Sequence, residues 1–172
     1  NSTYFGSDNG DTRSYLMDID EVNQIHIYGL TSGDMEITQG AFFSNQGSSV
    51  FLAALTEDLS TRIYSTVVGS GNNTLQDQFS EVPVAFMVDK CNGIYFSLYY
   101  ALDGMPLTSD AISTQGQSFY LGVLEPDATD LVFGTYYGQA DHVDGGTSRF
   151  DKGGVVYQSV CSCTSGDRVM NT

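Results

Sequence analysis

The residues able to do acid–base, nucleophilic or metal chemistry are few in kind and scattered along the chain. There are two histidines, three cysteines and a large excess of acids: 21 Asp+Glu against six Lys+Arg, a net charge of −15. Nucleophilic hydrolysis needs a Ser or Cys activated by a base. No G-x-S-x-G stands in the sequence, and only His26 and His142 are available as that base. His26 lies between Ile25 and Ile27, so in a strand its ring faces away from both and reads as a sheet-face residue. His142 lies in the run DHVDGGTSRF, where turn formation is its expected role. Acids this abundant make any glycosidase-like carboxylate pair uninformative. Calcium needs six to eight oxygens. The nearest candidates are Asp8-Asn9-Gly10-Asp11 and Asp18-Ile19-Asp20-Glu21-Val22-Asn23. Neither has EF-hand spacing, and ordinary Asx turns are the expected use of both. No catalytic, cofactor or metal residue is therefore assigned, with calcium as the minority alternative.

Three cysteines, Cys91, Cys161 and Cys163, leave two readings open. One is a bridge from Cys91 to one of the pair; the other is free structural thiols. A zinc site would need four ligands and has poor support. Arg149 follows a Gly-Gly-Thr-Ser turn and is expected to pair with Asp144 or Asp151. The doublets Tyr99-Tyr100 and Tyr136-Tyr137 offer flat rings suited to sugar faces. Tyrosines at such spacing more often sit half in a core and half on a surface.

The elements that must position these residues are strands. Alternation of apolar and polar residues runs through SYLMDID (Ser14–Asp20) and QIHIYGL (Gln24–Leu30). The apolar-rich runs SVFLAAL (Ser49–Leu55) and TRIYSTVV (Thr61–Val68) follow, split by the turn TEDLS. A second unit repeats the order as VPVAFMVD, KCNG, IYFSLYY, SFYLGVL, EPDAT and DLVFGTYY. Shifting the chain by 69 positions places Asp20 on Asp89, Asn23 on Asn92, Leu55 on Leu124 and Gly69 on Gly138. TYFGS at Thr3–Ser7 likewise returns as TVVGS at Thr66–Ser70 and TYYGQ at Thr135–Gln139. Each unit thus predicts four short antiparallel strands with one long, polar excursion between the second and third, over about residues 31–48 and 101–117. Propensity alone would allow a helix over Ser49–Leu59, but its repeat partner carries Gly122 and Pro126.

The fold class that follows is all-β: four-stranded antiparallel repeat units resembling β-propeller blades. Two are complete (residues 1–66 and 67–135) and one is partial (136–172). A ring needs at least four blades, so the chain reads as a segment of a longer protein whose remaining blades, or another subunit, are its partners. The strong negative charge disfavours nucleic acid and anionic membrane surfaces. No apolar run of about 18 residues exists for membrane insertion. Low lysine content and Gly/Ser/Thr richness suggest an extracellular chain.

The first unit, TYFGS…YLMDIDEVNQIHIYGLTSG…TQGAF…SVFLAALTEDLSTRIYST, resembles the bacterial β-propeller repeat known as SBBP. The run DHVDGGTSRFDKGGVVYQSVCSC is similar to a segment of very large surface proteins of Bacteroidetes. The resemblance implies a secreted or surface-attached protein exported by type IX secretion and associated with gliding motility. Its implied role is non-enzymatic: adhesion, assembly or presentation of a ligand, with surface glycan or protein as partner. The alternatives are a fragment of a propeller enzyme acting on polysaccharide and a passive spacer in a surface fibre. The chain departs from the repeat at Glu21-Val22-Asn23, where the family places a glycine before the asparagine. Asn1-Ser2-Thr3 and Asn72-Asn73-Thr74 match N-x-S/T but would be silent in a bacterium.

Overall fold

β-Branched and aromatic residues dominate the apolar set and glycines interrupt many helical windows, which favours extended structure as the way to bury these side chains. In a computed structural model of the chain, residues 1–42, 45, 47–71, 81–115, 119–138 and 148–158 are described. The first sheet holds β1 (Thr12–Ile19), β2 (Ile25–Thr31), β3 (Val50–Leu55) and β4 (Arg62–Val68), in that order and antiparallel. The second holds β5 (Val82–Val88), β6 (Ile94–Tyr99), β7 (Phe119–Leu124) and β8 (Leu131–Tyr137) in the same order. A two-stranded hairpin, β9 (Ser148–Phe150) and β10 (Val156–Gln158), follows. The segment Ser49–Leu59 is strand and turn rather than helix; the only helical piece among the described residues is a 3₁₀ turn at Pro126–Ala128. The described residues close neither a barrel nor a ring, so all-β with two four-stranded antiparallel sheets is the architecture.

The 69-residue period extends to irregularities that no alternation pattern specifies. Tyr15 bulges out of the β1–β2 ladder and Val84, 69 positions on, out of β5–β6. Ile63 bulges from β4 and Val132 from β8. Leu59 and Ala128 both take positive φ in the turn between the third and fourth strands.

The sheets stack through unlike faces. The first sheet turns a forward face, with Tyr28, Leu30, Leu52 and Tyr64, onto a rear face of the second, with Val88, Ile94, Phe96 and Leu124, and one buried core joins them. The Tyr28 ring lies 5.4 Å from Phe86 and 5.8 Å from Phe96, and its hydroxyl donates to the Ser97 carbonyl at 3.0 Å. In the repeat Val88 corresponds to Ile19, Phe86 to Met17 and Phe96 to Ile27, which lie on the first sheet's own rear face. That face is partly covered by Phe5, Met35 and Ile37 over Phe51, Ala53 and Val67. The hairpin continues the order: Phe150, in the position of Val88, packs 6.1 Å from Tyr95 on the second sheet's forward face. Gly122 lies beneath the Phe96 ring, its cross-strand partner, where any Cβ would collide.

Candidate functional site

Each hairpin that opens a unit is closed by an aspartate. The Asp20 amide donates to the Gln24 carbonyl and the Asn23 amide to the Asp20 carbonyl, while Asp20 Oδ1 accepts from the Val22 and Gln24 amides at 3.0 and 2.8 Å. Asp89 repeats this with Gly93, Asn92 and Cys91. Asp151 repeats it with Val155, Gly154 and Gly153. The turn needs a left-handed residue three positions on, supplied by Asn23 (φ 64°), Asn92 (φ 65°) and Gly154 (φ 82°). Asn23 and Asn92 hold this position in a conformation that asparagine tolerates better than other non-glycine residues.

These bonds engage three carboxylates of the calcium candidates. Asp20 is saturated by amides and His26. Asp18 Oδ2 accepts from the Val88 amide at 2.8 Å and Lys152 Nζ at 2.5 Å, and Oδ1 accepts from the Ile19 amide. Asp11 faces Arg13 at 3.4 Å in the open. Among the described residues no group of three or more His, Cys, Asp or Glu stands close enough to hold a metal ion.

His26 is buried in a chain that the sequence alone does not reveal. Its Nε2 lies 3.3 Å from Asp20 Oδ2 and its Nδ1 lies 3.0 Å from the Tyr64 hydroxyl. The carboxylate can only accept, so Nε2 carries the proton and Nδ1 accepts from tyrosine. Burial lowers the His26 pKa against the opposing pull of Asp20. Burial also pushes the Tyr64 hydroxyl well above its ordinary range. Held away from solvent, this hydrogen-bonded chain ties the first turn to β4. His142, Asp144, Asn72-Asn73-Thr74, Cys161 and Cys163 lie outside the described residues. Cys91 is exposed with a free thiol, and Arg149 sits on β9 opposite Tyr157.

The tyrosine doublets divide. Tyr136 is buried, its hydroxyl donating to the Leu102 carbonyl at 2.6 Å and accepting from the Met105 amide at 2.8 Å. Tyr137 stacks on Phe119 at 5.2 Å and meets Ser97 Oγ at 2.7 Å; burial pushes its pKa up to about 12. Phe119 lies 4.9 Å from Tyr99, which lies 3.9 Å from Tyr100. A continuous aromatic ladder therefore crosses the second sheet's forward face and ends at Tyr100, 55% exposed and at φ 57°. A left-handed backbone at tyrosine is strained by about 1–2 kcal/mol, and strain of this kind concentrates where a side chain is being aimed. A few residues on, Asp103, Met105, Leu107, Thr114, Gln115 and Tyr136 line an open hollow of about 550 Å³ with mixed polar and apolar walls.

The excursions do more than loop out. Between β2 and β3 the Thr38 amide donates to the Ser65 carbonyl and Thr38 Oγ1 accepts from the Ser65 amide. Between β6 and β7 Thr108 does the same to Gly134, and the Ser113 carbonyl accepts from the Tyr136 amide. Each excursion thus returns to the fourth strand of its sheet and bonds backbone groups there that would otherwise be open at the edge.

Comparison with protein-family models, curated proteins and solved structures returns no match to this chain. No helix among the described residues is long and apolar enough to cross a membrane.

Proposed function

We propose that the chain is a non-enzymatic, propeller-like segment of a large secreted or surface-attached bacterial protein of the SBBP-repeat type, binding glycan or protein at its surface. The observation that carries the reading is Tyr100, held exposed by a strained backbone at the end of the Tyr99–Phe119–Tyr137 ladder and followed by the hollow at Asp103–Gln115. An exposed aromatic anchored on a ladder of rings suits the apolar face of a sugar ring. Support for the blade reading comes from the stacking of unlike faces and from three copies of the aspartate turn. Asp18, Asp20, Asp89 and Asp151, with His26, are committed to turns and inter-strand bonds, which favours binding over turnover.

The test is a bacterial and host glycan array probed with the chain and with Tyr100→Gly. Glycine accepts positive φ without strain, so relief of strain offsets the lost ring contact and stability should change by no more than about 1 kcal/mol. Glycan signal should fall at least tenfold. Cleavage of a bound glycan would overturn the non-enzymatic reading, and binding unchanged in the variant would remove Tyr100 from it.

A further inference from the structure

The stacking of the two sheets makes a specific demand at the first sheet's rear face. Val88 is 1% exposed because the first sheet covers it, whereas Ile19, its counterpart 69 positions earlier, is 49% exposed. Phe86 packs on Tyr28, while its counterpart Met17 is 66% exposed. Tyr15 and Val22 extend the same uncovered strip. Phe5, Met35 and Ile37 shield only the part of this face around Phe51 and Val67. At the other end of the stack, Tyr157 occupies the forward-face position that Tyr95 holds in the second sheet. Tyr95 is covered by Phe150, and Tyr157 is 56% exposed. Among the described residues, the rear half of this junction at β1 and its forward half at β9–β10 are both exposed.

We infer that the strip of Tyr15, Met17 and Ile19 on β1 is a docking surface for a second copy of this chain, which covers it with the forward face of its β9–β10 hairpin. This deepens the blade reading and rests on it: the contact continues between copies the rear-on-forward packing already made twice within one. Because the two faces differ, the contact is heterologous and propagates head to tail until it closes a ring or extends as a filament. A symmetric pairing of two β1 strips would set Met17 against Met17, a contact that neither junction inside the chain makes. The apolar strip supplies the driving force, and the charge of −15 on each copy opposes it. Association therefore strengthens as salt is raised, the reverse of a contact held by ion pairs.

Sedimentation velocity over a wide concentration range tests this with two blocked variants. Met17→Asp/Ile19→Asp closes the rear face and Tyr157→Asp the forward face; all three side chains are exposed, so thermal unfolding should match that of the unaltered chain. Should the aspartates disturb folding, Met17→Ser/Ile19→Thr and Tyr157→Ser serve in their place. The unaltered chain should form concentration-dependent oligomers that grow with salt. Each variant alone should be monomeric, and an equimolar mixture should give dimers and nothing larger, since one competent junction remains. A chain monomeric at every concentration and salt overturns the second copy as occupant while leaving the stacked sheets untouched. Association by one variant alone overturns the head-to-tail geometry and, with it, the blade reading.

Discussion

Glu81 is a carboxyl buried at the seam between the two sheets, ahead of β5. The Ser49 hydroxyl donates to Oε2, while Oε1 is buried without a hydrogen-bond partner. Burial raises its pKa above the ordinary 4.5, outweighing the Ser49 and Leu102 hydrogen bonds that favour the charged form. A folded-state pKa above the unfolded one means that the folded chain holds the proton longer. The associated stability is whole below about pH 4.5 and is lost as pH rises through the folded value. Glu81→Gln removes the charge and keeps the shape. It should stabilise the chain by about 1–3 kcal/mol at pH 8, the scale of a buried unsatisfied group, with a much smaller effect at pH 4, as read from urea titrations at both values. An equal effect at the two pH values would mean that ionisation is not the cause. Nothing around Glu81 in the sequence marks it out, since Ser49 is 32 positions away. The His26–Tyr64 pair, 38 positions apart, was hidden for the same reason. Alternation told which way the His26 ring faces, but only the fold told what it meets.

At the level of elements, strands and turns were legible because each leaves a local trace. The eight strands of the two sheets lie within one or two residues of the apolar runs that announced them. Two of the aspartate turns stand where D-x-x-N recurs, and the third where D-x-x-G does. The excursions were read as polar surface loops, and composition could not say that they fold back to cover β4 and β8. The available trace was small: Thr38 and Ala41 in the first excursion are matched by Thr108 and Ala111 in the second, the alanine amide donating to the threonine carbonyl in both. The threonine hydroxyls hold these edges. Thr38→Val and Thr108→Val are nearly isosteric and leave the Ser65 or Gly134 amide without its acceptor. Each should cost about 1–2 kcal/mol and speed hydrogen exchange at that one amide well beyond the global change. Exchange that rises uniformly across the sheet would show that the excursion does not protect the edge. The forward-face ladder is a similar case. The Tyr doublets were visible in sequence, but the division into buried Tyr136 and exposed Tyr100 follows from strand register and from the positive φ at Tyr100.

For the molecule as a whole, repetition pulls in two directions. A stack of similar units can unfold unit by unit when the junctions are weaker than the units themselves. Here the junction is the core. Tyr28, Leu52 and Tyr64 of the first sheet and Val88, Phe96 and Leu124 of the second are buried in one cluster, which Ala101, Met105 and Ala128 complete. Separating the sheets would expose Leu52 and Phe96 together, both fully buried. Neither sheet then retains a forward or rear core of its own large enough to offset its chain entropy. The two should therefore unfold in one cooperative transition. Leu52→Ala should cost about 2–5 kcal/mol and Phe96→Ala about 3–5 kcal/mol. Each should lower the midpoint of both sheets equally, followed by hydrogen exchange on peptides from β3 and from β7, since the chain has no tryptophan to report locally. Two resolved transitions, with Leu52→Ala moving only the first sheet's peptides, would show that the units are held together more loosely than their shared core implies.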